Sequence, residues 1–507
     1  MKGTVAVASS SQLAADSGAE IAEQGGNAVD VAIAAVLTSM NTEPGVCALG
    51  GGGYVTIWRA AERPVTIDGY AAVPGLGLPD ERLGEGGVEV LIGYGGGVRS
   101  IVGPGSVAVP GSMAALGEAS ALYGRLPWDA LFQPAIAAAE EGFPLPQACY
   151  NYLIHSGNIV FGRDRAGWEC LHDKEGQLKE AGAIIRIPHL AASLRQLAEH
   201  GAREFYTGEL GHRMADHVLE AGGTLSREDL EQYRPLTREA LTTSVGSWEV
   251  ATNPAPAIGG VVLSAMLALV AGEYPSLPKA PTPRQIAIQK LILGYRRNVL
   301  NDTERLEGNL NALLNAVSRD DLAHLESPST VHTSSTDTDG LACAITMSTG
   351  YGSGHMVPES GIWLNNCLGE LELIPTGPEG LTPGARLPSN MAPTVARNSI
   401  GDTLSIGSPG ADRITTALMQ VLHRHLLEGM PLREAISAPR VHVQFESTGV
   451  RLAHEPGIKL PADSPPLHTF KEQSMYFGGV GATCAAGGEL EAVADPRRAG
   501  GTRVVTA

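Results

Sequence analysis

The run from Ala28 to Met40 is apolar on nearly every face of the helix it would form, so that helix has no side to offer water and belongs inside a core. It contains a single charge, Asp30, and falls well short of the ~20 apolar residues that cross a bilayer, so it is a buried helix and not a membrane span. Ser11 caps a preceding helix that runs through about Gln24, Gly25-Gly26 stops it, and Asn27 caps the buried one. Glu43-Pro44-Gly45 and the glycines Gly50 to Gly53 then lead through Tyr54 into a short apolar strand, Val55 to Trp58. Those glycines suit either a tight turn or the close approach of another backbone.

From about Ser112 to Leu325 the pattern is mainly helical, with apolar residues three and four apart in Leu190–Leu197 and Ile286–Leu300. Beyond Thr330 it changes to short β-type runs, Leu341–Met347, Gly361–Leu364 and Thr403–Ile406, followed by a helix from about Ile414 to Leu427. Sheets with helices outside them follow from this order, which is an α+β fold. At 507 residues, 43% of them hydrophobic, the chain can fill one large core or two ordinary ones. No internal repeat is visible, and the proline-rich stretches Pro275–Pro283 and Pro461–Pro466 read as surface loops.

Charge and composition exclude several functions. With 36 basic against 54 acidic residues the formal charge is -18, so nucleic acid would be repelled and is not an expected partner. The six cysteines are scattered without a C-x-x-C pair and read as reduced thiols, and the 14 histidines show no metal-ligand spacing. Neither a metal nor a cofactor is expected. The N-terminus, M-K-G-T-V-A-V-A-S-S-S-Q, lacks the apolar stretch of a secretory signal, which makes the cytoplasm the expected location.

Two strings carry candidate chemistry. Thr330 to Gly340, T-V-H-T-S-S-T-D-T-D-G, places hydroxyls at the entrance to a β-strand and ends in a D-G turn; alone it reads as a polar hairpin. Gly407 to Arg413, G-S-P-G-A-D-R, joins a strand to a helix. The backbone N–H groups at such a junction lack intrahelical partners, so Gly410 and Ala411 are placed to hold a developing oxyanion, although an ordinary strand-to-helix turn has the same form.

Together with further blocks in one collinear order, these strings resemble the γ-glutamyltranspeptidase family over nearly the whole chain. The blocks are G-G-N-A-V-D (Gly25 to Asp30), E-P-G with G-G-G-G-Y, A-V-P-G (Ala108 to Gly111), Y-G-R-L-P-W (Tyr123 to Trp128) and E-F-Y-T-G (Glu204 to Gly208). They continue with T-x-H-x-S at Thr330, E-S-G-I-W-L-N-N (Glu359 to Asn366), G-S-P-G and D-P-R-R (Asp495 to Arg498). The resemblance implies the four-layer αββα sandwich of N-terminal-nucleophile hydrolases and self-cleavage between Ser329 and Thr330. It also implies two fragments, 1–329 and 330–507, that stay intertwined as one domain. Thr330 would be the nucleophile, because a free α-amino group of pKa near ~7.7–8.0 can take the proton of its own hydroxyl. Ser348 falls where the family has a second threonine that hydrogen-bonds the nucleophile, with Thr346 as the alternative. Gly410 and Ala411 fall on the paired glycines of the oxyanion hole, alanine keeping the N–H, and His332 is expected to shape the strand end.

The substrate shell departs from the family. Tyr70 stands where an arginine normally binds the glutamyl α-carboxylate, and losing that contact, worth ~1.5–3 kcal/mol, weakens a γ-glutamyl substrate by roughly one to two decades unless Arg99 or another cation compensates. Cys367 and Glu370 replace a glutamine and an aspartate, Ser389-Asn390 replaces a serine pair, and the Glu370–Ser389 loop is short. The expected enzyme therefore cleaves an amide, or a C–C bond next to a carbonyl, in a small non-glutamyl acyl substrate, as in acylase-like and antibiotic-biosynthesis branches that process alkylproline units. A true γ-glutamyl hydrolase or transferase and a non-catalytic binding scaffold are the alternatives. A homo-oligomer is compatible with the sequence.

Overall fold

The computed structural model describes residues 4–93, 97–300, 305–317, 331–446 and 449–506. Along the first half of the chain the strands of its two large sheets are β1 (Val5–Ser9), β2 (Gly52–Trp58), β3 (Val65–Gly69), β4 (Leu236–Glu239), β5 (Leu241–Val245) and β6 (Trp248–Thr252). The second half supplies β7 (Val331–Asp337), β8 (Ala342–Ser348), β9 (Thr394–Asn398), β10 (Thr403–Gly407), β11 (Gly481–Ala486), β12 (Glu489–Ala494) and β13 (Gly501–Val505). One sheet has the order β13-β1-β7-β8-β2-β3-β4 and the other β12-β11-β10-β9-β6-β5. Helices α1 (Gln12–Glu23) and α2 (Ala28–Thr42) pack on the first sheet; α3 (Ile258–Ala271) and α5 (Arg413–Leu422) pack on the second, with α4 (Pro281–Tyr295) against α3. The result is the αββα sandwich.

Each outer interface has its own large apolar core, whereas the layer between the sheets is lined by small groups such as Ala251, Ala342, Ala344 and Val395 around Trp58. Small side chains and hydroxyls let the sheets approach closely enough to bond across the gap: Ser405 Oγ donates to the Cys343 carbonyl at 2.8 Å, and Ser334 Oγ to the Gly481 carbonyl at 3.2 Å.

Every residue of α2 is buried, as its all-round apolar pattern requires. Its one charge is accounted for locally. Asn27 Oδ1 accepts from the N–H of Val29 and Asp30, and the Asn27 N–H in turn donates to the Asp30 carboxylate at 2.9 Å. Asp30 also accepts from the N–H of Arg125 and Leu126, tying the helix start to the Tyr123–Trp128 block. Burial pushes this carboxyl up while those N–H groups pull it back.

The region from Ser112 to Val317 is less helical than its sequence suggests. Three of its segments form β4, β5 and β6, on the edge-ward side of each sheet. Their exposed positions carry Thr237, Glu239 and Glu249, so the apolar face is too sparse to stand out. Strands β1 and β11–β13 likewise have no counterpart in the sequence reading, being short runs built largely of small residues, with glutamates in β12 and an arginine in β13. Among the described residues no helix is long and apolar enough to cross a membrane.

Candidate active site

Ser329 and Thr330 lie outside the described residues, and the site is built from Val331 onward. β7 runs antiparallel to β8 with Val331 opposite Met347 and His332 opposite Thr346, so Ser348 closes the ladder at the end where β7 begins. Ser348 is buried, and its Oγ accepts from the Gly350 N–H at 2.9 Å. Thr346 faces elsewhere: its hydroxyl bonds His332 Nδ1 at 2.8 Å, while His332 Nε2 bonds Ser334 Oγ at 2.7 Å. With both ring nitrogens engaged and burial pushing its pKa down to about 3, His332 is a neutral structural link between the strands. Its ring lies against Gly407, where a Cβ would come within 2.3 Å of it.

The G-S-P-G-A-D-R loop leaves β10 at Gly407 and turns into α5. Gly410 and Ala411 have φ of 135° and 67°, and among the described residues neither donates its N–H to a hydrogen bond. Ala411 keeps the N–H of a glycine but not its freedom, because a left-handed φ costs a residue with a Cβ about 1–2 kcal/mol. The turn is locked from outside. Asp412 accepts from Arg413 Nη1 at 2.7 Å and lies 3.4 Å from His442 Nε2, and the Arg413 guanidinium covers the Tyr476 ring at 4.8 Å. Burial raises the Asp412 carboxyl, but Arg413, His442 and Arg296 together outweigh it and hold it below the usual carboxylate range. Val331, His332 and Pro409 share a cavity of about 30 Å³, which joins the start of β7 to this loop.

The four glycines Gly50 to Gly53 serve close approach. None has positive φ, but added Cβ atoms would lie 2.3 Å from the Trp363 carbonyl, 2.3 Å from the Ser348 carbonyl, 2.8 Å from the Ala71 N and 1.9 Å from the Thr346 carbonyl. This bare backbone lets the end of β8, the Tyr70 segment and the Glu359–Asn366 block meet.

At that meeting point Tyr70, Cys367 and Glu370 form one buried group. Tyr70 Oη donates to Glu370 Oε1 at 3.2 Å, the Cys367 thiol hydrogen-bonds both side chains, and Tyr54 stacks on Tyr70 with ring centres 5.7 Å apart. Gly350, two residues after Ser348, packs on the Glu370 carboxyl, connecting this group to the end of β8. The sequence reading missed two members. Glu372 accepts from Tyr351 Oη at 2.7 Å, and both side chains feel the charge of Arg413 in the loop before α5. The only hint was the E-L-E alternation, Glu370 to Glu372. Ser389 and Asn390 lie at the start of α3: the Ser389 carbonyl accepts from Gly259 N–H at 3.0 Å, and its hydroxyl accepts from Met391 N–H at 3.3 Å. Arg99 does not compensate for Tyr70; its side chain is 70% exposed and paired with Glu89 at 2.7 Å.

Burial, reinforced by Glu372, pushes Glu370 up to about 8, and burial pushes Glu372 up to about 7. The folded protein thus holds a proton on Glu370 that the unfolded chain releases near the ordinary value of 4.5. The linked stability is fully present below pH 4.5 and is lost as pH rises through about 8. Glu370→Gln fixes the neutral form, so its urea midpoint is expected to change less between pH 5 and pH 9 than that of the wild type. Parallel pH dependences in the two proteins would contradict a protonated Glu370.

An αββα sandwich with a hydroxyl-rich central strand facing a glycine-bearing strand-to-helix loop is the architecture of N-terminal-nucleophile hydrolases and transferases. The cephalosporin acylase from Bacillus halodurans has the same fold, with a TM-score of 0.80 at 24% identity, covering 100% of this chain and 96% of its own. The gamma-glutamyltranspeptidase family model matches residues 14–505, and the chain belongs to that family. The glutathione hydrolase proenzyme of Pseudomonas aeruginosa is 28% identical, covering 98% of this chain and 93% of its own. That of Escherichia coli is also 28% identical, over 97% of this chain and 90% of its own.

Proposed function

We propose that this enzyme processes itself at Ser329–Thr330 and then hydrolyses a non-glutamyl acyl compound through an ester on Thr330. The Thr330 hydroxyl attacks the substrate carbonyl carbon as its proton passes to the α-amine of the same residue. The N–H groups of Gly410 and Ala411 receive the oxyanion, and Ser348, at the end of β8 beside the start of β7, orients the nucleophile. Collapse expels the amine, which takes the proton from the α-ammonium. Water then opens the ester by the same path, releasing the acid and restoring the hydroxyl. Cleavage of a C–C bond next to a carbonyl uses the same attack, with a stabilised carbanion leaving in place of the amine.

The observation that carries the choice of substrate is the Tyr70–Glu370 hydrogen bond. Where a γ-glutamyl carboxylate would need a cation, the pocket presents a phenol already committed to an acidic side chain. Arg386 and Arg238 lie nearby but are both engaged by Asp68, at 3.4 and 3.3 Å. A second glutamate, Glu372, adds a further carboxyl and no cation to the site. Tyr70, Cys367, Glu370, Ser389 and Asn390 are the proposed substrate-contacting residues, with Thr346 acting through His332.

The test compares release of a chromogenic amine from a γ-glutamyl anilide with release from uncharged acyl anilides, using Thr330→Ala as the background. The γ-glutamyl compound is expected to be slower by at least about tenfold in kcat/KM, the size of one lost charged contact. Faster γ-glutamyl turnover would instead favour the glutathione-hydrolase activity named for the relatives.

A further inference from the structure

The fold gathers three side chains that no sequence spacing links. Asp164 caps the helix Arg165–Leu171, His217 lies on the helix Glu209–Glu220, and His355 precedes the short strand Met356–Val357. Their ligand atoms all lie within 4.8 Å of one another, and the two imidazole rings are 5.7 Å apart. The Asp164 carboxylate and the His355 backbone are both held in place. Asp164 Oδ1 accepts from the Ala166 N–H at 2.8 Å and Oδ2 from the Met356 N–H at 3.1 Å. The His355 N–H donates to Ser353 Oγ at 3.2 Å, and its carbonyl accepts from the Leu364 N–H at 2.9 Å. Gly354 lies so close to the Val160 carbonyl that a Cβ would come within 2.3 Å of it, which brings His355 up to the Asp164 segment.

His217 Nε2 is buried and has no hydrogen-bond partner among the described residues. A buried imidazole nitrogen without a partner is costly unless something else occupies it. Two imidazoles and one carboxylate form a donor set suited to zinc and other borderline divalent ions, which take a water as the fourth ligand where the protein supplies three. Tetrahedral coordination at ~2.0–2.2 Å needs ligand atoms about 3.3 Å apart, within reach of small side-chain adjustments from the present separations. The charges of Glu220 beside His217 and Arg163 beside His355 oppose each other, leaving Asp164 as the net anionic ligand.

We propose that Asp164, His217 and His355 bind a divalent transition-metal ion of the zinc class, which ties the loop after β8 to two helical segments from earlier in the chain. The role is structural, separate from the hydrolytic chemistry, and independent of the proposed substrate.

The experiment is a calorimetric titration of zinc chloride into purified full-length protein stripped with EDTA. The wild type is expected to bind one equivalent, and His217→Gln and His355→Gln to weaken binding at least about tenfold. No binding by the wild type, or unchanged binding in both variants, would overturn the proposal. Cobalt(II) loading of the wild type gives a readout that does not depend on the variants folding. Strong visible bands of a four-coordinate site support the assignment, and the weak spectrum of the hydrated ion refutes it.

Discussion

Thr330→Ala is expected to yield one full-length polypeptide where the wild type yields two, with turnover reduced by at least about 10⁴-fold. Both effects have one cause: the alanine has no hydroxyl to attack the Ser329 carbonyl, and without that cut no free amine arises to activate a later attack. Intact-mass analysis of both proteins, with a rate measured on the same preparations, is sufficient. Two fragments from the variant would assign the cut to another group, and an active wild type with an unbroken chain would remove the nucleophile from the mechanism.

The largest expected effect on stability comes from Glu455→Ala. Arg497 and Glu455 form a fully buried ion pair, with Arg497 Nε donating to Glu455 Oε1 at 2.7 Å. Glu455 also accepts from the backbone N–H of Arg440 and Ser474, each at 2.9 Å. Asp495 completes the group, 3.0 Å from Arg497 and 2.6 Å from Arg440, and takes the Val480 N–H at 2.8 Å. Truncating Glu455 leaves two buried guanidinium groups facing one carboxylate, and breaking such a pair costs about 3–5 kcal/mol. Urea unfolding should show that loss as a lower midpoint at unchanged slope. A loss below about 1 kcal/mol would show that water enters freely and that the group is not sealed. Because Val480 leads into β11, against which Ser334 bonds, the variant should also process more slowly.

What was legible in the sequence was what depends on neighbours along the chain. The Asn27 cap and the apolar helix behind it are local, and both appear as read; the reciprocal bond to Asp30 that completes a capping box was not read. The Gly407–Arg413 turn was also visible, because a strand, a glycine-rich junction and a helix follow one another without interruption. The backbone cost at Ala411 was not, since it depends on a φ that residue type alone does not reveal. Strands β4 and β5 were hidden because edge positions need little apolar surface, and β6, paired on both sides, because its buried residues are only the short run Val250 to Thr252. Tyr70, Cys367 and Glu370 were singled out by family position, but their hydrogen bonding to one another emerges only where the Gly50–Gly53 backbone lets their segments converge. Tyr351 and Glu372 went unnoticed for the same reason, as did Asp164, His217 and His355, whose meeting depends on three separate turns of the chain.

Strand β1, drawn from the first ten residues, lies between β7 and β13, and it bonds to both along most of its length. Severing the backbone ahead of β7 would therefore release almost nothing: each piece contributes the strands that the other needs as neighbours. Such halves should survive dilution as one particle, and an isotopically heavy copy of one piece should fail to exchange into a preformed pair. The union would be guarded by a kinetic barrier, since no partner can depart until the whole sheet is dismantled.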